Sequence, residues 1–348
     1  MTTIRAATPD DSPGMLRLIE SQPADGGLTL LYTRRPDAYL SYHAECPSAE
    51  VVVAVDDDPG GDRVVAQAVC LPRQVYIAGK ATTMGYITGL HKYPGAPVRV
   101  MDILQYGYDH SVAQDYFCSV LLSNPAVLAR FGNQGNVHPI ADYTTCFLRP
   151  SVLANAVGTE VRRATADDAP RLLEFYREQG ARYSYLPVFS SIDGFANLDV
   201  TDFFLVEDAR GIVACGALWD QRPFKQYVVI DYRGVYRWAA RWPVVTRALH
   251  YPPLPERNTP ARFAYLSFVM CRDEDPAATR ALLAGMAEQG ARSFDFFTIG
   301  AVDGSWLGLI LSALKGIRIR SRLCAIRFHD ATPPSLGDSA PYFECGLL

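Results

Sequence analysis

Residues 84–110 hold the densest set of groups in this chain that could do chemistry. A strand-like run through Ile87, Gly89 and Leu90 is followed by His91 and Lys92. The loop Tyr93-Pro94-Gly95-Ala96-Pro97-Val98 comes next, then Arg99 and a helical pattern to His110. A strand feeding a helix through such a loop aims backbone N–H groups and the positive helix end at one point, a place suited to phosphate. Gly95 is the loop's single glycine. Pro94 and Pro97 have no N–H to offer, and Lys92 and Arg99 could replace them by charge. His91 stands at the loop mouth. An imidazole with an ordinary pKa of about 6.5 can take a proton from an amine. One glycine in such a loop also describes an ordinary βα connection.

Other proton-handling groups are scattered. Asp109 and His110 close the same helix far from the loop and read as its C-terminal cap. Tyr42-His43-Ala44-Glu45 sits in a helical segment, where it could bind a polar molecule or be a solvated helix end. Tyr106 and Tyr108 read as packing residues, and Tyr116 opens the next strand. His138 and Asp142 fall on a later strand and read as an edge-strand polar face. The eight cysteines include no Cys-x-x-Cys and no Cys/His knot at zinc spacing. They read as buried thiols in a reducing compartment, and no metal is expected.

The elements that must position these groups occur twice. Residues 4–22 align without gaps to 161–179, with eight identities in 19 positions: Arg5, Ala7, Thr8, Asp10, Asp11, Pro13, Leu16 and Gln22 match Arg162, Ala164, Thr165, Asp167, Asp168, Pro170, Leu173 and Gln179. Each copy reads as a short strand turning into a helix capped by Thr8 or Thr165, with acidic residues in the first turn. A hairpin follows in each half: 51–55 with 64–71, then 203–206 with 212–218. The seam lies near 149–159, which divides the chain into residues 1–150 and 151–348.

This pattern resembles the GNAT superfamily of acyl-CoA-dependent N-acyltransferases, in tandem. The residues that carry the resemblance are the doubled Arg-x-Ala-Thr-x-Asp-Asp start, the hairpin ahead of a strand–loop–helix, and Ser123-Asn124-Pro-Ala-Val-Leu-Ala-Arg-Phe131-Gly132. In the second half Tyr251-Pro-Pro-Leu-Pro and the closing Phe343-Glu-Cys-Gly-Leu-Leu are similar as well. The resemblance implies a mixed α/β (α+β) protein of two GNAT-like domains, each a mostly antiparallel sheet flanked by helices. It further implies an acyl group, most simply acetyl, passing from a CoA thioester to a small-molecule amine. Carried over, Ile87, Gly89 and Leu90 belong to a strand splayed from its neighbour at 118–122. Lys92, Gly95, Ala96, Val98 and Arg99 form the pyrophosphate loop, and Asn124 is the strand-end Asn. Phe131 stands where the family often has a tyrosine acid. His91 and His138 are candidate bases, and Tyr116 is a stand-in acid. In the second half Arg272-Asp-Glu-Asp275-Pro276 would repel a pyrophosphate, so that half is expected to shape or support the site. Two rival readings are a non-catalytic ligand- or partner-binding GNAT fold, and a transferase with a carrier-protein- or tRNA-bound donor.

The net charge of −4 gives no global attraction to nucleic acid or an anionic membrane. The N-terminus has no signal-peptide core and no apolar run is long enough to span a bilayer, so a cytoplasmic protein is expected. One basic segment is local. Residues 219–262 hold eight basic and three acidic residues, with Arg233, Arg237 and Arg241 on one helical face and Trp238 and Trp242 on another. It could meet a carrier protein or tRNA. The ordinary expectation is a solvated Arg stripe on a helix whose Trp face packs inward.

Overall fold

The duplicated starts fold alike because their side chains do the same local work. In this computed structural model, which describes residues 2–58, 61–124, 137–154, 160–192, 194–328 and 336–348, Arg5 donates to both oxygens of Asp11 at 2.7 and 2.8 Å. Asp11 also accepts from the Thr8 amide at 2.7 Å. Arg162, Asp168 and Thr165 repeat the arrangement, with the guanidinium contacts again at 2.7 and 2.8 Å. Each carboxylate thus caps a 3-10 turn and ties it to the preceding strand, β1 (Thr2–Ala6) or β8 (Val161–Arg163). The helices α1 (Ser12–Glu20) and Ala169–Gly180 follow.

The expected hairpins form: β3 (Glu50–Asp58) with β4 (Gly61–Ile77), and β10 (Phe203–Asp208) with β11 (Gly211–Trp219). Each is followed, along the sheet, by a long strand, β5 (Lys80–Lys92) or β13 (Phe263–Cys271). That strand starts parallel to a partner, β6 (Asp115–Leu121) or β14 (Phe296–Val302). The mixed α+β character read from the sequence is therefore present twice.

What joins the halves is an exchange. The last strand of the first half, β7 (Val137–Leu148), pairs with β14. The late strand of the second half, β15 (Ile317–Ile326), pairs with β6, and β7 and β15 pair with each other. One sheet of 12 strands results, in the order β1-β3-β4-β5-β6-β15-β7-β14-β13-β11-β10-β8, with a pseudo-twofold axis between β15 and β7. The sheet has no break at position 150. A second tie is a small sheet in which β2 (Leu28–Thr33) pairs antiparallel with β12 (Gln226–Tyr232).

Both long strands carry a bulge at equivalent points. Across from β4, Val69 pairs with Thr88 and Gln67 with His91, so Gly89 and Leu90 together face one residue. Across from β11, Ala217 pairs with Ser267 and Cys215 with Met270, which places Phe268 and Val269 in the same role. Gly89 has φ +58° and Phe268 φ +55°. The left-handed region is free to glycine but costs other residues about 1–2 kcal/mol. Phe268 is held there by packing: its ring is fully buried among Phe189, Phe195, Phe203 and Trp219, and an aromatic of that kind contributes about 3–5 kcal/mol.

The parallel contact in the second half ends at Tyr265–Thr298, and the chain's own closing segment fills the space beyond it. Tyr342 donates its hydroxyl to Val269 O, Tyr143 donates to Phe343 O, and the Phe268 amide donates to Glu344 Oε2 at 2.6 Å. The expected N-cap Asp275 accepts from the Ala277 amide at 2.8 Å and starts the helix Pro276–Gly290.

Expressed alone, residues 1–150 lack the strand that lies between β6 and β7. Both would present open edges, a template for aggregation. That fragment is expected to be insoluble and to be recovered as a soluble complex when 151–348 is co-expressed, as measured by size exclusion.

Candidate functional site

Pairing between β5 and β6 covers Met84–Ile87 against Asp115–Cys118 and then stops. Beyond that point the strands diverge, and a cavity of about 450 Å³ opens between them. Thr88, Gly89, Leu90 and His91 form one wall and Ser119, Val120 and Leu121 the other. Met101 and Leu104 of α3 (Val100–His110) line it too, as do Asn124, Val137, Ile326 and Phe328. Such a cavity has the size of a small-ligand site. Gln67 Nε2 donates to Gly89 O and to the Tyr42 hydroxyl, both at 3.2 Å, which fixes the bulge from behind. A side chain at Gly89 would meet the Tyr42 hydroxyl at 2.5 Å.

The floor of the cavity is polar and buried. Arg34, which follows β2, lies with Lys225, Tyr32, Tyr86, Tyr227 and Leu348. Arg34 Nη2 donates to Glu45 Oε2 at 2.6 Å, and Lys225 Nζ donates to Glu45 Oε1 at 3.4 Å and to Leu348 O at 3.2 Å. The guanidinium of Arg34 also stacks 3.8 Å from the Tyr42 ring centre. Burial would raise the Glu45 carboxyl, but the charges of Lys225, Arg34 and Arg73 override it and pull it down to about 2. Burial lowers the Lys225 ammonium. Burial, with Arg34 adding its charge, pulls the His91 imidazole down to about 4, so His91 is neutral at physiological pH.

The expected residues separate into two groups. Ile87, Gly89, Leu90, His91 and Asn124 line the cavity. Lys92, Ala96, Val98 and Arg99 line a different, shallow cleft with Thr2, Ile4 and Asp102. Much of the loop's donor capacity is used internally. The Ala96 amide donates to Tyr93 O and the Val98 amide to Ala96 O. Arg99 is bidentate to Asp102 at 2.9 and 2.6 Å. Gly95 takes φ +78° in open space, so glycine is required there by backbone conformation alone.

Tyr116 is not brought to the cavity. It pairs with Gly85 in the closed part of the β5–β6 contact, its ring fills the place of a Gly85 side chain, and its hydroxyl donates to Ala113 O at 2.6 Å. Phe328 and Tyr108 cover the ring. His138 sits on β7 opposite Ala325, outside the cavity lining. Asp142 is held by Arg322 at 2.8 Å. His110 Nδ1 donates to Tyr106 O at 2.7 Å, at the far end of α3. Phe131 and residues 125–132 lie outside the described residues. Glu45 was visible as a polar candidate, but its cations were not: Arg34 sits in an unremarkable Thr-Arg-Arg-Pro, and Lys225 read as part of a surface patch. Trp238 and Trp242, expected to pack, are 53% and 56% exposed. Among the described residues no helix is long and apolar enough to cross a membrane, and no His/Cys/Asp/Glu group could hold a metal.

No known family's sequence pattern matches this chain, and no curated protein sequence does. Solved structures do. Saccharomyces cerevisiae N-myristoyltransferase with bound myristoyl-CoA superposes with a TM-score of 0.60 at 11% identity, covering 96% of this chain and 80% of the other. A GCN5-related N-acetyltransferase from Anabaena variabilis gives 0.51 at 10% identity, over 93% and 72%. The chain has the tandem GNAT fold. Within that GNAT frame the cavity occupies the gap between the splayed strands of the first half, and the equivalent gap of the second half holds residues 342–348.

Half-buried His91 and buried Glu344 give opposite pH dependence. His91 is depressed from 6.5 to about 4, so it contributes stability that is lost as pH falls below 6.5. Glu344 is raised by burial from 4.5 to about 7, so its contribution is lost as pH rises above 4.5. Between pH 4.5 and 6.5 the two slopes offset, each limb being on the order of 2 kcal/mol. Denaturant titrations across this range should show His91→Gln gaining stability on acidification and Glu344→Gln losing it more steeply than the wild type. Parallel profiles for all three proteins would refute the assignment.

Proposed function

We propose that the protein is an N-acyltransferase that moves an acyl group, most simply acetyl, from a CoA thioester to the amine of a small molecule. The observation that supports this most directly is the gap between β5 and β6. Its walls are two strand edges with backbone donors and acceptors, the complement of an extended, amide-containing pantetheine arm. The N-acyltransferase structures that share the fold, one of them with myristoyl-CoA bound, support the same class of chemistry. The donor-binding and catalytic unit is assigned to residues 1–150 and the supporting unit to 151–348, with β15 completing the former.

The pseudo-twofold supplies a role for the bulge. In the second half, the amide at the bulge holds a carboxylate oxygen of Glu344 at 2.6 Å. The equivalent amide in the first half belongs to Gly89, on the cavity wall. Where one copy of the bulge donates to a carboxyl oxygen, the other is suited to the oxyanion that forms when an amine attacks a thioester carbonyl. As the C–N bond forms, the nitrogen sheds a proton; the C–S bond then breaks, expelling a thiolate that takes up a proton to leave as the thiol, so the proton count balances. His91, neutral because it is buried beside Arg34, has a ring nitrogen able to accept the proton that the amine sheds. Glu45 is bound to two cations and is a positioning residue for Arg34 and Lys225.

Acetyl-CoA at saturation is expected to raise the melting temperature by about 3 °C or more. Ser119→Trp, which fills the gap from β6, should abolish that shift while the unliganded protein melts near the wild-type temperature. No shift with either CoA or acetyl-CoA at millimolar concentration would sink the proposal. With an accepted amine in hand, His91→Ala should lower kcat by about 10- to 100-fold, leaving the CoA-induced shift intact.

A further inference from the structure

The helix Gly234–Arg241 and the short helix Pro243–Ala248 form a surface that the cavity does not use. They follow β12 directly, whose Tyr227 lines the cavity floor. One side of the first helix is anchored. The Tyr236 ring fills the place of a Gly27 side chain, the Arg233 amide donates to Gly27 O at 2.8 Å, and the Arg233 guanidinium lies 3.4 Å from Asp25. The outward side carries Val235, Trp238 and Trp242, spaced three and four apart and therefore in one stripe. Val244, Leu249 and Tyr251, in and just after the next helix, are exposed as well. Val235 and Val244 are 70% and 74% exposed, so they stand out from the surface, Val244 at the edge of an open cleft.

The charge carried by this segment itself has one sign. Residues 233–251 contain Arg233, Arg237, Arg241 and Arg247 and no acidic residue. Arg233 and Arg237 are partly engaged by Asp25 and Asp231. Among the described residues Arg241 and Arg247 meet no carboxylate. Arg247 stands close enough to Arg149 to lower the latter's pKa, behind burial as the first cause. The two guanidiniums share an open cleft with Val244, His250, Ser151 and the carboxylate of Asp295. Two adjacent cations beside a projecting Trp/Val stripe match a surface that offers phosphates and, just beneath them, hydrocarbon. A nucleic acid would leave Val235, Val244 and Leu249 without a partner, and an acidic protein would need a groove to receive them.

We propose that this surface docks the protein on an anionic phospholipid membrane. Trp238, Trp242 and Val244 enter the headgroup–acyl boundary, and Arg241, Arg247 and Arg149 meet lipid phosphates. The protein lies on the bilayer and does not span it. Attachment by one exposed patch is reversible and weakens with salt.

Full-length protein is tested by co-sedimentation and tryptophan fluorescence, with vesicles of phosphatidylcholine alone and with about 30% phosphatidylglycerol. Binding to the anionic vesicles is expected, with a blue-shifted emission and loss on raising salt from about 0.1 to about 0.5 M. The double variants Trp238→Ala/Trp242→Ala and Arg241→Glu/Arg247→Glu should each weaken binding at least about tenfold. Their melting temperatures and the acetyl-CoA shift should be unchanged, since these side chains are exposed and none lines the gap. No binding to anionic vesicles overturns the proposal, as does binding that neither double variant weakens. Full displacement by inorganic phosphate would assign the cleft to a free anion and overturn the lipid assignment. A concentration-dependent dimer that only the Trp variant dissolves would assign the stripe to a second copy, with the same consequence.

Discussion

The hydrogen bonding between β5 and β6 ends at Ile87 and Cys118, and the site depends on that ending. Two neighbouring parallel strands normally stay paired, because an unpaired edge loses its hydrogen bonds. Here each strand is secured from its other side. β5 is held by β4 up to and past the Gly89 bulge, and β6 is held by β15 from Tyr116 to Leu121. The bulge turns the end of β5 away, and the ladder behind β6 keeps that strand from following. The cavity is therefore a property of the sheet, and no flexible loop is needed to open it.

Charge burial fixes the chemistry at the bottom of the gap. Glu45, Arg34 and Lys225 are each almost fully buried, and taking such groups out of water is costly unless they satisfy one another. Their mutual contacts place a guanidinium and an ammonium where neither would sit alone. Burial, with the Arg34 charge behind it, keeps His91 uncharged. Three elements far apart in the chain build the charged floor beneath it: helix α2 (Ala38–Glu45) with Glu45, the β2 exit with Arg34, and the β11–β12 connection with Lys225.

Much of this architecture could be read from local chemistry. The Thr/Asp caps, the Arg–Asp pairs and the hairpins each depend on residues within a few dozen positions, so the duplication and the strand–loop–helix were legible. The strand exchange was not, because nothing local to β7 says that its neighbours will be β14 and β15. Tyr116 was misplaced for a related reason. Its proximity in sequence to the gap was clear, but it lies one step inside the closed pairing, where Gly85 leaves room for its ring. Pro94 and Pro97 made the loop's shortage of amides legible, but that Arg99 would be taken up by Asp102 was not. At Trp238 and Trp242, periodicity separated two helix faces without saying which one would be covered.

The exchanged strands also set an order in time. A ribosome delivers β6 and β7 early, but the strand that fits between them begins 169 residues after β7 ends (317 − 148). At about 5–20 residues per second, the first half waits roughly 10–30 s with its central ladder incomplete. The wall of the site that β6 provides is the last part of that half to become fixed, and it does so only when the second half has nearly been made.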